Sequence, residues 1–130
     1  MVVRYDYLWS VDKTADDDQG KHRPTFIVAT GDSDRFVVLL PITHTPPADD
    51  TVGIEIPEPV GAAVGLDDAR SWIIVSEYNV DEWPNPGLTP APNSPNFYYG
   101  FLPPKLFKKI KEAFLDLRGK DQSTRVDRLE

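Results

Sequence analysis

Residues 24–42 carry the sequence PTFIVATGDSDRFVVLLPI. Two β-rich runs, at residues 24–30 and 35–42, flank the polar residues GDSD at 31–34. Both runs have the length of a strand and are rich in branched and aromatic residues, whereas Gly, Asp and Ser are typical of turns. The stretch therefore predicts two strands joined as a hairpin.

Three further stretches predict strands. Residues 71–78 read SWIIVSEY, a mostly apolar run of strand length. The other two show an apolar residue at every second position, a period typical of strands: Val3, Tyr5, Tyr7 and Trp9 in the first, and Val52, Ile54 and Ile56 in the second. Residues 57–70 contain two prolines and two glycines, which leave room for a short helical turn at most.

One amphipathic helix is predicted near the end of the chain. Pro103 and Pro104 open it, because proline is tolerated in the first helical turn, and Gly119 supplies a stop. Apolar residues recur at spacings of three and four and predict one buried face: Leu106, Phe107, Ile110, Ala113, Phe114 and Leu117. Several short strands and one terminal helix favour a mainly β fold, with a small β-barrel capped by the helix.

The length of 130 residues predicts one domain over residues 1–128, and the terminal Leu129-Glu130 is compatible with a tag remnant. Seven of the 13 prolines lie within residues 84–104. Because proline lacks the N–H donor of a β-ladder, residues 84–96 are predicted to form an irregular insertion without regular pairing.

Composition narrows the functional classes. The absence of cysteine excludes disulfide scaffolds, thiolate zinc sites and cysteine nucleophiles, and together with the lack of a signal-like N-terminus it favours a cytoplasmic location. No apolar run approaches the roughly 20 residues of a membrane span, so a soluble protein is expected. The net charge of −7 argues against nucleic-acid binding through bulk charge, although residues 105–128 hold eight basic and four acidic side chains.

Arg23 and His22 stand where a polar loop ends and a predicted strand begins. The planar guanidinium of an arginine held there suits a phosphate group. The alternative for Arg23 is an ion pair with a loop aspartate, and the alternative for His22 is a solvated loop histidine.

Thr43 and His44 follow the most apolar strand, where side chains are held rigidly enough to serve a site. The alternative is that Thr43 caps a turn and His44 is incidental. Asp18 ends a run of three aspartates without the spaced pattern of a calcium loop, so it is interpreted as a solvated acid or as a catalytic acid or base. Glu77 lies where an apolar run becomes polar, and it is either half-buried and functional or simply at a strand end.

Taken in order, these motifs resemble the MazF/PemK family of toxins from bacterial toxin–antitoxin systems. That family begins with a V-x-Y-D strand, which a long loop follows. The segment acid-Q-x-G-H-R-P-x-x-V-V then opens its second strand, and residues 18–28 of this chain read DQGKHRPTFIV. The family's strand ending in P-I-T matches residues 41–43, its later strand ending in an acid matches 71–78, and its G-Y/F-L segment matches 100–102. The resemblance covers roughly residues 3–118.

The resemblance implies an SH3-like barrel of the CcdB/MazF type and a sequence-selective endoribonuclease that needs neither metal nor cofactor. Arg23 would stabilise the phosphate charge in the transition state, and Thr43 would bind the phosphate or orient the nucleophile. Asp18 matches the family's loop acid. Glu77 falls where PemK-type members carry a functional carboxylate, although the arginine that those members have two positions earlier is Val75 here.

His22, His44 and Gln19 are candidates for substrate binding, although His44 stands where the family commonly has a small polar residue. The resemblance implies single-stranded RNA as substrate, a cognate antitoxin as partner and a homodimer as the assembly, with no role for DNA or a membrane. The alternative on the same fold is a catalytically inactive or CcdB-like module that binds a protein. An SH3-like adaptor that reads proline-rich peptides is a third hypothesis.

Overall fold

The computed structural model describes residues 1–7, 9, 22–30, 36–66, 70–82, 88–89 and 98–128. Within these ranges it contains nine strands and two helices. In chain order they are β1 (Val2–Asp6), β2 (His22–Thr30), β3 (Phe36–Thr43), β4 (Gly53–Ile56), α1 (Glu58–Ala63), β5 (Ser71–Ile74), β6 (Glu77–Glu82), β7 (Leu88–Thr89), β8 (Tyr98–Gly100), α2 (Pro104–Gly119) and β9 (Thr124–Asp127).

The strands form one sheet with the hydrogen-bonded order β4-β5-β3-β2-β1-β7. In addition, β6 pairs with β3, β8 with β1, and β9 with β6. The β6–β9 pair is parallel and the other pairs are antiparallel. The predicted hairpin is confirmed, since β2 and β3 pair with Phe26 opposite Leu40.

The mainly β fold with a C-terminal helix agrees with the prediction, but the predicted barrel is not closed. Among the described strands, β4 pairs only with β5, and β9 pairs only with β6. Hydrogen bonding therefore stops at these two edges and does not run around a full circle, as a closed barrel requires.

The run at residues 71–78, predicted as one strand, forms two. β5 pairs with the end of β3 and with β4, whereas β6 pairs with the start of β3 and with β9. Between them, the Val75 N–H donates to the Val52 carbonyl oxygen at 2.9 Å. The Val52 N–H donates to the Ser76 hydroxyl at 3.0 Å. The chain changes partners at this point, which an apolar run alone does not reveal.

The proline-rich segment also departs from its prediction. β7 and β8 both pair with β1, with Leu88 opposite Tyr5 and Tyr98 opposite Val3. The expectation that residues 84–96 form no regular pairing was wrong for β7, which contains no proline. β8 lies beyond the predicted insertion. The rest of the predicted insertion, residues 84–87 and 90–96, lies outside the described residues.

Helix α2 begins and ends as predicted and packs on the sheet through its apolar stripe. Ile110 and Phe114 are buried, and three further predicted core residues are half-buried against the same cluster: Leu106, Phe107 and Leu117. The Phe114 ring meets Tyr78 edge to face at 5.1 Å. In the described part of the chain, neither helix has the length and hydrophobicity that a membrane-spanning segment requires.

The sheet buries residues on both of its faces. On the helix face, α2 packs against a cluster that includes Val2, Phe26, Leu40 and Ile42. On the opposite face, which we call the tyrosine face, the buried cluster consists of Val3, Tyr5, Tyr7, Val37 and Leu39. These two sets alternate along β1 and β3, as side chains of a strand must.

Candidate functional site

Arg23 of β2 and Thr43 of β3 lie near the same end of two neighbouring antiparallel strands. The last β2–β3 pair at this end is Thr25 opposite Pro41. Arg23 and Thr43 each stand two residues beyond that pair, where the backbone of Arg23 pairs with Tyr5 of β1 and Thr43 pairs with Trp72 of β5. The structure describes the backbone of Arg23 and not its side chain.

Thr43 ends β3 and is half-buried. Its Oγ1 accepts a hydrogen bond from the Thr45 N–H at 3.1 Å, so the turn-capping role considered from the sequence is present. A hydroxyl that accepts a hydrogen bond keeps its own proton and a second lone pair. Thr43 therefore caps the turn and retains the capacity to donate to a phosphate oxygen.

Thr43 also lines a surface cavity of about 470 Å³, which we call the Trp9 pocket. Its lining combines one indole ring, apolar groups and three threonines. The lining residues are Trp9, Thr43, Thr45, Pro46, Pro47, Ala48, Thr51 and Ile74. A concave, mostly apolar site with a few polar groups is typical of ligand-binding pockets.

Glu77 lies on the tyrosine face and is held by a tyrosine. The Tyr7 hydroxyl donates to Glu77 Oε2 at 3.0 Å, and Tyr7 is fully buried. The Tyr7 ring in turn meets the Trp9 ring edge to face, with centroids 5.3 Å apart. Glu77 is therefore connected through Tyr7 to the wall of the pocket that contains Thr43.

The environment of Tyr7 favours its neutral form. Burial raises the pKa of the Tyr7 hydroxyl well above its usual value, and the neighbouring Glu77 charge raises it further. The phenol therefore stays protonated at neutral pH and serves as a hydrogen-bond donor to the carboxylate.

A second tyrosine makes a parallel contact along the same face. The Tyr5 hydroxyl donates to Asp81 Oδ2 at 2.7 Å. β2 and β3 lie between β1 and β6, a span of about 14 Å in a flat sheet. A tyrosine side chain does not reach that far, so the sheet must curl around the tyrosine face to allow these contacts.

His44 directly follows Thr43 and contacts the residues at the start of β5. It is exposed, and its Nδ1 lies 3.0 Å from the Arg70 carbonyl oxygen and 3.2 Å from Ser71 Oγ. Because a carbonyl oxygen only accepts, the contact with Arg70 favours the tautomer with the proton on Nδ1. Unlike Thr43, His44 does not line the Trp9 pocket.

The remaining predicted site residues are described only in part. Asp18 and Gln19 lie outside the described residues. The backbone of His22 pairs with that of Asp6, one position before Arg23 in β2. In the described ranges, no group of three or more His, Asp and Glu residues is placed to hold a metal ion.

The structure adds Tyr7 and Trp9 to the site, and sequence reasoning did not single them out for function. The alternation that predicts the first strand does contain the signal, because a period of two sets both aromatic residues on one face. What the alternation does not reveal is which later strand supplies the carboxylate that Tyr7 meets.

Comparison with known proteins identifies no relatives. No family model matches the chain, and neither the curated proteins nor the solved structures include a significant match. Function is therefore inferred from the residues and their geometry.

Proposed function

We propose that this chain is an endoribonuclease of the MazF/PemK type, a toxin-like enzyme that cuts single-stranded RNA. The observation that carries the proposal is the antiparallel pairing of β2 and β3, which places the backbone positions of Arg23 and Thr43 at the same end of these two strands, each two residues beyond the Thr25–Pro41 pair. These two residues come from separate motifs, H-R-P and P-I-T, and nothing in a merely structural role requires the two motifs to lie at the same end. An SH3-like fold of the CcdB/MazF type belongs to the same proposal and is supported by the curl of the sheet.

The proposed reaction is an internal transfer within the RNA strand. The 2′-oxygen attacks the adjacent phosphorus, the bond from phosphorus to the 5′-oxygen breaks, and a 2′,3′-cyclic phosphate and a 5′-hydroxyl form. A base takes the 2′ proton, and an acid supplies a proton to the leaving oxygen. Arg23 stabilises the charge that develops on the phosphate, and Thr43 donates a hydrogen bond to it.

Glu77 and Asp18 are the carboxylates proposed for the two proton transfers. Glu77 is supported by its place on the tyrosine face and by the Tyr7 donor that fixes one of its oxygens. Because the reaction begins at a 2′-hydroxyl, DNA is excluded as a substrate. A cognate antitoxin protein is the partner that this proposal implies.

A protein-binding module on the same fold is the second candidate. It is favoured by the contacts that give two proposed site residues a structural role: Thr43 caps its turn, and Glu77 accepts from Tyr7. The two candidates differ in one observable, since only the enzyme makes new RNA ends.

The deciding experiment incubates a mixed-sequence RNA with the protein in the presence of EDTA and compares two variants. Arg23→Ala is expected to slow cleavage by a factor of about 10²–10³, as for the loss of one transition-state donor. Arg118→Ala is the matched control, because Arg118 is exposed on α2 on the opposite face of the sheet. It should cut like the wild type.

The chemical signature is a cyclic phosphate on the upstream product. Metal-independent cutting that leaves this end and is lost in Arg23→Ala would support the enzyme. A folded wild-type protein that cuts no RNA would exclude it and favour the binding module.

A further inference from the structure

The Trp9 pocket has the size and the lining of a site for one small planar group. Its volume of about 470 Å³ falls in the range of small-ligand sites, roughly 300–1,000 Å³. A helix or a folded protein domain does not fit into this space. The lining residues that the structure describes carry no formal charge, so this part of the pocket suits a neutral group better than a phosphate.

One wall of the pocket is an aromatic ring that is held in place from behind. Trp9 is half-buried, and its ring packs edge-on against the fully buried Tyr7. The Tyr7 ring is in turn connected to β6 through the hydrogen bond from its hydroxyl to Glu77. An indole fixed in this way is a suitable stacking partner for a nucleobase, because every base has a π-face.

The other wall is apolar and closely packed. Pro47 lies so near to Gly53 that a Cβ on Gly53 would come within 2.7 Å of the Pro47 Cγ atom. Glycine at this position therefore allows the loop with Pro46 and Pro47 to approach β4. Thr45 adds a hydroxyl group that can donate and accept hydrogen bonds with the edge of a base. The Thr51 hydroxyl donates to Asp50 Oδ1 at 3.2 Å and therefore adds an acceptor.

We infer that the Trp9 pocket receives one unpaired base of the RNA substrate and sets the base preference next to the cut. This inference rests on the proposed function, since Thr43 belongs to the pocket and is also the proposed ligand of the scissile phosphate. Single-stranded RNA is recognised through bases that are splayed out and stacked on aromatic side chains. A base in this pocket would lie beside the phosphate at Thr43.

The first test fills the pocket without disturbing the core. Ala48 is exposed and lines the pocket, so Ala48→Phe should block it and leave the fold unchanged. Ala62→Phe is the matched control, because Ala62 is exposed on α1 and does not line the pocket. We expect kcat/KM for RNA cleavage to fall about ten- to hundredfold in Ala48→Phe, in line with the loss of one stacked base, and to stay near wild type in Ala62→Phe.

The second test examines base preference. Sequencing the 5′ ends produced from a random RNA pool should show a preferred base at one position next to the cut. Trp9→Ala should lose that preference and Trp9→Phe should largely keep it, because phenylalanine also stacks. If Trp9→Ala and Ala48→Phe both cut at the wild-type rate with the wild-type preference, the pocket does not hold a base. A wild-type protein that cuts no RNA would instead overturn the proposed function, and this inference with it.

Discussion

Tyr7 connects the carboxylate of the proposed site to the wall of its pocket. One phenol donates to Glu77, packs against Trp9 and lies fully buried on the tyrosine face. A buried hydroxyl needs a partner, because leaving it without one costs about 1–3 kcal/mol. Burial and, after it, the charged acceptor raise the pKa of the Tyr7 hydroxyl, so the contact is sensitive to alkaline pH.

We predict that Tyr7→Phe lowers the free energy of unfolding by about 1–3 kcal/mol at pH 7, because Glu77 loses its donor. The pKa of Tyr7 is raised in the folded protein, whereas in the unfolded chain it lies near its ordinary value of about 10. Above that pH the unfolded chain releases a proton that the folded protein retains, so the wild type loses stability as pH rises.

The advantage of the wild type over Tyr7→Phe should therefore shrink as pH rises above about 10. Urea unfolding of both proteins at pH 7 to 11 measures this difference, and contributions from other tyrosines cancel in the comparison. A difference that stays constant over the whole range would show that Tyr7 titrates alike in the folded and unfolded states.

At the scale of elements, α2 holds the helix face of the sheet through two buried residues. Phe114 is buried and contacts Tyr78 of β6, and Ile110 is fully buried one turn earlier. The neighbouring Leu115 is 47% exposed on the outer side of the helix. The two adjacent positions therefore differ in burial and form a matched pair for mutation.

We predict that Phe114→Ala lowers the free energy of unfolding by about 3–5 kcal/mol, because it leaves a cavity in a core that cannot fully close. Leu115→Ala should change it by no more than about 0.5 kcal/mol, as is usual for surface substitutions. Denaturant unfolding followed by circular dichroism measures both. Equal effects of the two substitutions would contradict the observed packing of α2.

Local patterns predict some of these elements and miss others for physical reasons. The β2–β3 hairpin follows from two apolar runs of strand length, and α2 follows from apolar residues spaced three and four apart. Both patterns are contained within a short stretch of sequence. β9 does not follow, because only Val126 of this short polar strand is buried. The break at Val75 depends on hydrogen bonds with Val52, a residue far away in the sequence.

The candidate site shows the same limit. The sequence predicts the motifs around Arg23 and Thr43, and the pairing of β2 with β3 places both at the same end of these two strands. The contact between Tyr7 and Glu77 depends on the curl of the sheet, which no single segment specifies. His44 follows Thr43 directly in the sequence, yet β3 ends at Thr43, and of the two residues only Thr43 lines the Trp9 pocket.

At the scale of the whole molecule, the net charge and the exposed apolar surface influence whether copies of the chain associate. The chain carries a net charge of −7. Among the described strands, β4 and β9 each leave one edge without a strand partner. Phe101 is 64% exposed just before α2. Open sheet edges and exposed apolar side chains favour association with another chain.

We predict a symmetric homodimer, in which a second copy of the chain covers part of this surface. Light scattering at several micromolar concentrations should give twice the chain mass of 14.6 kDa. High salt should not dissociate the dimer if apolar contacts dominate, because salt screens charges and strengthens apolar burial. A mass of one chain at every concentration would contradict the prediction.

The most direct test of the site is a double-mutant cycle on RNA cleavage with Arg23→Ala, Thr43→Val and the two combined. Thr43→Ser, which keeps the hydroxyl, serves as the control and should retain most of the activity. Because both side chains are proposed to act on one phosphate, we predict that each single variant slows cleavage strongly and that the double variant is little slower than the worse single one. Effects that multiply in the double variant, or Thr43→Val cutting like the wild type, would contradict a phosphate site shared by these two residues.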